Sequence, residues 1–199
     1  LTLHRHIPRS IFIPYRQYFI TTVVNKRERG FCNQEIIFLL LKCLTITSIL
    51  KMTGLNAVAI LPEHLHLILT VSEHSTSRFM HSFKSFSSQI INSKQIGKSP
   101  FRWQKSFTDH LIRNEDELSK LIYYILTNPQ HHNTEGFSWV SPPFSGSAQN
   151  KLYDELTDVV NKMLGSNQEI KNVPANINEQ LTAKIDTIIA QIYNLEKYG

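Results

Sequence analysis

Four side chains in two short stretches of this sequence have the types and spacing for metal binding and nucleophilic chemistry. His64 and His66 are two residues apart in HLHLILTV (64–71), which reads as a strand, so both imidazoles project from one face. Leu65, Leu67, Leu69 and Val71 fill the other face, which must bury against helices. Two imidazoles on a strand with a buried reverse offer two points to a divalent cation. Such a cation also needs a third protein ligand and open positions for a substrate oxygen. A His-x-His pair is more often two ordinary strand histidines, and the spacing leaves both readings open.

The second stretch is NEDELSKLIYYILTNP, Asn114 to Pro129. At about 100° per residue, Leu118, Leu121, Ile122, Ile125 and Leu126 share an apolar helix face. Tyr123 and Tyr124 then fall about 130° to either side of it. Asn128 is four residues after Tyr124 and stacks on the same side of the helix, with Lys120 more loosely there. A phenol beside an amide able to ligate the same cation is a workable nucleophile-and-ligand arrangement. The plainer alternative is a boundary tyrosine that packs its ring and wets its hydroxyl. His131 and His132 are a further candidate ligand pair, although successive residues at a helix end diverge in direction.

The surrounding elements must position these groups. YFITTVV (18–24) is aromatic and β-branched and reads as a strand. Residues 33 to about 45 open on a capping Asn33 and continue apolar nearly all round, the pattern of a buried helix. NAVAIL (56–61) reads as a second strand, joined through Pro62-Glu63 to the histidine strand as an antiparallel hairpin. Residues 77–93 carry Phe79, Met80, Phe83, Phe86, Ile90 and Ile91 at helical spacing. Residues 101–112 fit a fourth strand or an irregular extended segment. Asn114 caps the tyrosine helix, Glu117 stands in capping-box position, and Pro129 is expected to stop the helix near Asn128. The order β-α-β-β-α-β-α predicts an α+β fold, an antiparallel sheet of the ferredoxin-like, split βαβ kind with a helical extension.

Charge divides the 199 residues. Residues 1–133 hold 16 Lys and Arg against 8 Asp and Glu, with every arginine and all nine histidines; residues 134–199 hold 5 Lys against 8 acids. The break suggests a domain over 1–133, a Pro/Gly/Ser-rich linker over 134–149 and an acidic helical extension over 150–199. Within the extension, residues 150–164 and 177–198 read as two helices of a hairpin, with Leu181, Ile185, Ile188, Ile189 and Ile192 on one face of the second. The basic part is where a polyanion would bind, although many basic enzymes never touch nucleic acid. Cys32 and Cys43 lack metal-site or redox spacing and read as reduced thiols. The longest apolar run, Ile36 to Leu41, is broken by Lys42, so no membrane span is expected, and the opening has no apolar core of signal-peptide length.

Together, LPEHLH (61–66), WQKSFTDHLIR (103–113) and YILTNP (124–129), with YFITTVVNKR (18–27) as a first strand, resemble the REP-associated tyrosine transposases. These are single-tyrosine HUH transposases of bacterial insertion sequences, and the likeness covers about residues 18–133. The resemblance implies an HUH nuclease that cuts and joins single-stranded DNA, often at hairpin-bearing repeats, in a bacterial cytoplasm at the nucleoid. It makes Tyr124 the nucleophile and His64 and His66 the histidines that hold Mg²⁺ or Mn²⁺, with Asn128 as a third, amide ligand. Relatives include monomers and homodimers. The acidic tail has no place in the family pattern, and FSWVSPPF (137–144) only echoes the segment that usually follows the helix.

Candidate phosphate contacts are Arg16, Lys26, Arg27, Arg29, Lys84, Arg102, Lys105 and Arg113, with Trp103 for base stacking. Two rival readings are a catalytically silent DNA-binding remnant and a metal-dependent phosphoesterase with no covalent intermediate.

Overall fold

The computed structural model describes residues 12–25, 31–96, 100–132, 139–141, 151–160 (less 153 and 157) and 179–193. The elements are β1 (Gln17–Val23), α1 (Gln34–Leu50), β2 (Gly54–Ile60), β3 (His64–Thr70), α2 (Thr76–Ser93), β4 (Thr108–Leu111), α3 (Glu115–His131), β5 (Trp139–Ser141) and α4 (Glu179–Tyr193). Five strands form one sheet in the order β4-β1-β3-β2-β5, with every pairing antiparallel. The first four strands with α1 and α2 are the ferredoxin-like arrangement that the element order predicts.

The histidine strand sits in the middle of this sheet. β3 pairs with β1 along its whole length and with β2 on its other side. Leu61 and His64 exchange backbone hydrogen bonds of 2.9 and 3.3 Å around Pro62-Glu63, which closes the β2–β3 hairpin in two residues.

Strand register assigns the helices to faces. Phe19 lies opposite Ile68 and His110, and with Ala57, Ala59, Leu61, Ile112, Leu121 and Ile125 it forms a buried cluster beneath α3. On the reverse, Ile20 lies opposite Leu67 and Asp109. The Asp109 carboxylate accepts a 2.6 Å hydrogen bond from Thr76 at the start of α2. The histidine face therefore belongs to α3, and the leucine face to α2 and its partner α1. Leu65, Leu67, Leu69 and Val71 are all fully buried.

Several boundaries depart from the spacing. α1 runs to Leu50 rather than Thr45, because Thr45 and Ser48 donate their hydroxyls back to Leu41 O and Thr45 O at 2.8 Å. Polar residues satisfied within the helix can be buried in it. Of 101–112, only Thr108–Leu111 is a strand. Pro129 does not end α3, which continues to His131 with the proline ring buried. Proline lacks the N–H that Ile125 O would have accepted and its ring crowds that carbonyl, a cost met here by burial of the ring in the last turn of the helix. Residues 139–141 lie within the predicted linker 134–149, yet they form β5 on the edge of β2. The rest of that linker is outside the described residues.

By internal contacts the chain divides into Leu1–Pro143 and Phe144–Gly199. In the second unit, Lys184 and Glu155 form a 2.9 Å ion pair between α4 and the helical residues of 151–160. Among the described residues, no helix is long and apolar enough to cross a membrane.

The start of α3 is fixed at three points. Asn114 accepts from Glu117 N at 2.9 Å, and the Glu117 carboxylate accepts from Arg113 N at 2.8 Å and pairs with His110 Nε2 at 2.7 Å. Burial alone would raise the Glu117 carboxyl, but the Arg113 N–H and the His110 ring outweigh it and hold it below its ordinary value. Replacing the cap, Asn114→Ala, is expected to cost about 1 kcal/mol in a urea titration; an unchanged midpoint would show that the carboxylate alone holds the end.

Candidate active site

Four ring side chains from three elements meet on the histidine face. The His64 and His66 rings are 4.9 Å apart between centroids, and Tyr124 of α3 meets His66 edge-on at 5.4 Å. Phe19 of β1 completes the group, stacked on His66 at 5.3 Å and edge-on to Tyr124 at 6.0 Å. On the β2 side the neighbour opposite His66 is Ala59. Ala57 and Ala59 are small, which lets α3 settle close to the sheet.

The helix presents only one tyrosine to this site. Its fully or nearly buried positions are Leu121, Ile125, Asn128 and Pro129, whereas Leu126 is 41% exposed. Taking Leu121 as the centre, Tyr124 lies about 60° to one side and Tyr123 about 160° away. Tyr123 accordingly points to solvent at 68% exposure, while Tyr124 packs on the sheet. The symmetric placement expected for the two tyrosines is corrected, because an apolar face that includes Leu126 and leaves out Asn128 is rotated from the buried one.

His66 is held by a residue that sequence inspection passes over. Thr21 stands opposite it across the β1–β3 ladder, where facing side chains share a face. The Thr21 hydroxyl and His66 Nδ1 are 2.8 Å apart in a hydrogen bond. With Nδ1–H donating to Thr21, Nε2 keeps its lone pair. His66 is 5% exposed, and its Nε2 has no hydrogen-bond partner. Burial, then the neighbouring His64 and His132, push its pKa down to about 3, so the ring is neutral and able to act as a ligand at ordinary pH.

This depression carries a sign. Below the ordinary value of 6.5 the unfolded chain binds a proton that the folded chain refuses until about pH 3. Stability is therefore expected to fall as pH drops through that window, by at most roughly 1.4 kcal/mol per pH unit. Urea titrations at several pH values check this; in His66→Gln the same component should be missing.

Asn128 is fully buried one turn beyond Tyr124, and neither its Oδ1 nor its Nδ2 has a hydrogen-bond partner. A buried amide without partners costs stability and requires a reason. An amide oxygen and an imidazole nitrogen, both buried and unpartnered, are the donors a divalent cation takes, so the residues present fit one. Among the described residues, no three His, Cys, Asp or Glu side chains are grouped for a metal, and the set therefore depends on Asn128. His132, at the end of α3, places its exposed ring 5.3 Å from His64, while His131 turns to Thr127 at 3.3 Å. The two do diverge, and the one facing His64 is an added member of the site.

The cationic candidates are scattered. Arg16, Arg102, Lys105 and Arg113 are exposed. Lys84 instead donates to Gln104 O at 3.0 Å and Ser106 O at 2.8 Å, with burial lowering its pKa to about 8. It is a tether first. Trp103 donates Nε1–H to Ser87 Oγ at 2.9 Å and packs against Phe31, Phe83 and Phe101, which leaves it half-buried. Lys26, Arg27 and Arg29 lie outside the described residues.

Comparison with known proteins agrees with this fold. A REP-associated tyrosine transposase of Escherichia coli K12 is 35% identical over 81 residues, covering 39% of this chain and 45% of that protein. A Haemophilus influenzae protein assigned as a REP-associated tyrosine transposase is 25% identical over 111 residues, covering 50% and 63%. The chain thus matches less than two thirds of the length of either relative. A solved structure of a REP-associated tyrosine transposase bound to a REP hairpin shares the fold, with a TM-score of 0.55 at 23% identity over 64% of this chain and 74% of that one. The model of the IS200-like transposases matches residues 14–128, more than half of the chain, and the chain belongs to that family.

Proposed function

We propose that this chain nicks and rejoins single-stranded DNA, with Tyr124 as nucleophile and with His64, His66 and Asn128 holding Mg²⁺ or Mn²⁺. The observation that carries this reading is the packing of Tyr124 against His66, one helical turn from a buried amide with no partner. Its hydroxyl oxygen attacks the phosphorus, the bond to the 3′ oxygen breaks, and that oxygen leaves as a free 3′-OH. The 5′ side stays linked to Tyr124 as a phosphodiester, whose energy is close to that of the bond lost. Attack by a 3′-OH on this link reverses the step, so strands can be rejoined without ATP. His64, His66 and Asn128 would hold the cation, which would supply charge to polarise the phosphate and ease loss of the phenolic proton.

The chain's own residues prepare the rest. Thr21 orients His66, Phe19 packs against the His66 and Tyr124 rings, and the cap at Asn114 fixes the start of α3. The named relatives, together with the solved transposase bound to a REP hairpin, support hairpin-bearing single strands as the substrate class. The test incubates the chain with end-labelled single-stranded hairpin DNA and Mn²⁺ and looks for a denaturant-resistant protein–DNA band. The band should appear with Mn²⁺ and not with EDTA. Cleavage without any such band would favour a phosphoesterase; neither cleavage nor band would favour a silent remnant.

A further inference from the structure

A further concave surface lies away from Tyr124. It is an open groove of about 1100 Å³ between α2 and residues 101–107. Thr76, at the start of α2, is bonded to Asp109 on the sheet face opposite α3, so α2 and its groove stand on the far side of the sheet from the tyrosine.

The groove is built, not incidental. Its outer wall is tied to α2 at three levels. Asn92 accepts from Phe101 N at 2.7 Å and donates to Phe101 O at 3.1 Å, Ser87 accepts from Trp103, and Lys84 reaches Gln104 O and Ser106 O. A wall fixed before binding loses little freedom when a ligand arrives. Arg78, His81, Arg102 and Lys105 line it with their side chains exposed, and among the described residues its lining includes no Asp or Glu. Half-buried Trp103 and Phe107 add aromatic surface. The volume exceeds the roughly 300–1,000 Å³ of small-molecule sites. Cations along an open groove with interleaved aromatic rings suit a sugar–phosphate backbone with unpaired bases.

We propose that this groove binds a single-stranded stretch of the DNA substrate away from the point of cleavage, a ligand class that rests on the function proposed above. The strand contacts Arg78, Arg102 and Lys105 through phosphates and rests bases against Phe107 and Trp103. Lys84 serves by holding the wall. A DNA bound to both sites must pass round the sheet, so the groove acts as a recognition surface that holds the molecule while Tyr124 acts elsewhere on it.

Ultraviolet crosslinking of the full chain to a 5-bromodeoxyuridine-substituted single strand, followed by peptide mapping, tests this directly. Crosslinks are expected in residues 77–107. In parallel, the triple variant Arg78→Glu, Arg102→Glu, Lys105→Glu should bind the labelled strand at least about tenfold more weakly. Its salt dependence should be shallower by roughly two units of log–log slope, from three lost phosphate contacts. The neutral variant Arg102→Gln, Lys105→Gln should move binding the same way by less, which separates lost contacts from a damaged fold. Wild-type affinity and slope in the triple variant, or crosslinks confined to 114–132, would overturn the groove. A covalent Tyr124 adduct in the wild type with no groove crosslink would leave the proposed function standing and remove this inference. Groove crosslinks without any adduct would do the reverse.

Discussion

Tyr124→Phe is expected to abolish the covalent protein–DNA adduct, with strand cleavage falling by at least about 10³-fold, while Tyr123→Phe keeps both. The two residues are adjacent and chemically identical, so only position distinguishes them. Tyr123 is 68% exposed on the outer side of α3. Tyr124 packs edge-on to His66 and Phe19, where a phosphate held at the histidines would lie within reach. Removing one hydroxyl from a half-buried ring leaves the packing intact, and both variants should melt close to the wild type. An adduct that persists in Tyr124→Phe and vanishes in Tyr123→Phe would put the chemistry on the wrong side of the helix. Persistence in both would remove tyrosine catalysis from this helix.

Asn128→Leu is expected to separate stability from function. In the metal-free chain the buried amide makes no hydrogen bond, so a leucine of similar size should stabilise the fold by about 1–2 kcal/mol. The same change removes the amide oxygen from the proposed ligand set, and Mn²⁺-dependent cleavage should drop by about 100-fold or more. A readout without DNA is available. Mn²⁺ should raise the wild-type melting temperature through binding to the folded state, and should not raise that of Asn128→Leu. A variant that loses stability and keeps the Mn²⁺ shift would show that Asn128 is held by contacts within the protein and ligates nothing.

Much of the architecture was legible because the strands and helices follow simple alternation. HLHLILTV alternates imidazole and leucine over enough residues to assign both faces, and the short Pro62-Glu63 join leaves only a hairpin. The failures share a cause in tertiary context. Three residues at 139–141 carry no periodicity, and only the open edge of β2 makes them a strand. The expected rotation of α3 differs from the observed one because the apolar residues alone include Leu126 in the face and leave out Asn128, which occupies the centre of the buried stripe. Thr21 is invisible as a functional residue until the β1–β3 register sets it opposite His66. Lys84 and Trp103 read as DNA contacts from residue type alone, and that each is also bonded across the groove wall is something residue type and spacing do not reveal. His132 needed the helix to run through Pro129 before it could face His64.

The most direct measurement is the identity of the residue that carries DNA after cleavage. The chain is incubated with single-stranded hairpin DNA and Mn²⁺, digested with protease and nuclease, and the nucleotide-bearing peptide is sequenced by mass spectrometry. The expected peptide carries a nucleotide joined through its 5′ phosphate to Tyr124, with the released strand ending in a 3′-OH. A nucleotide on any other residue, or cleaved DNA with a free 5′ phosphate and no modified peptide at any time point, would contradict it.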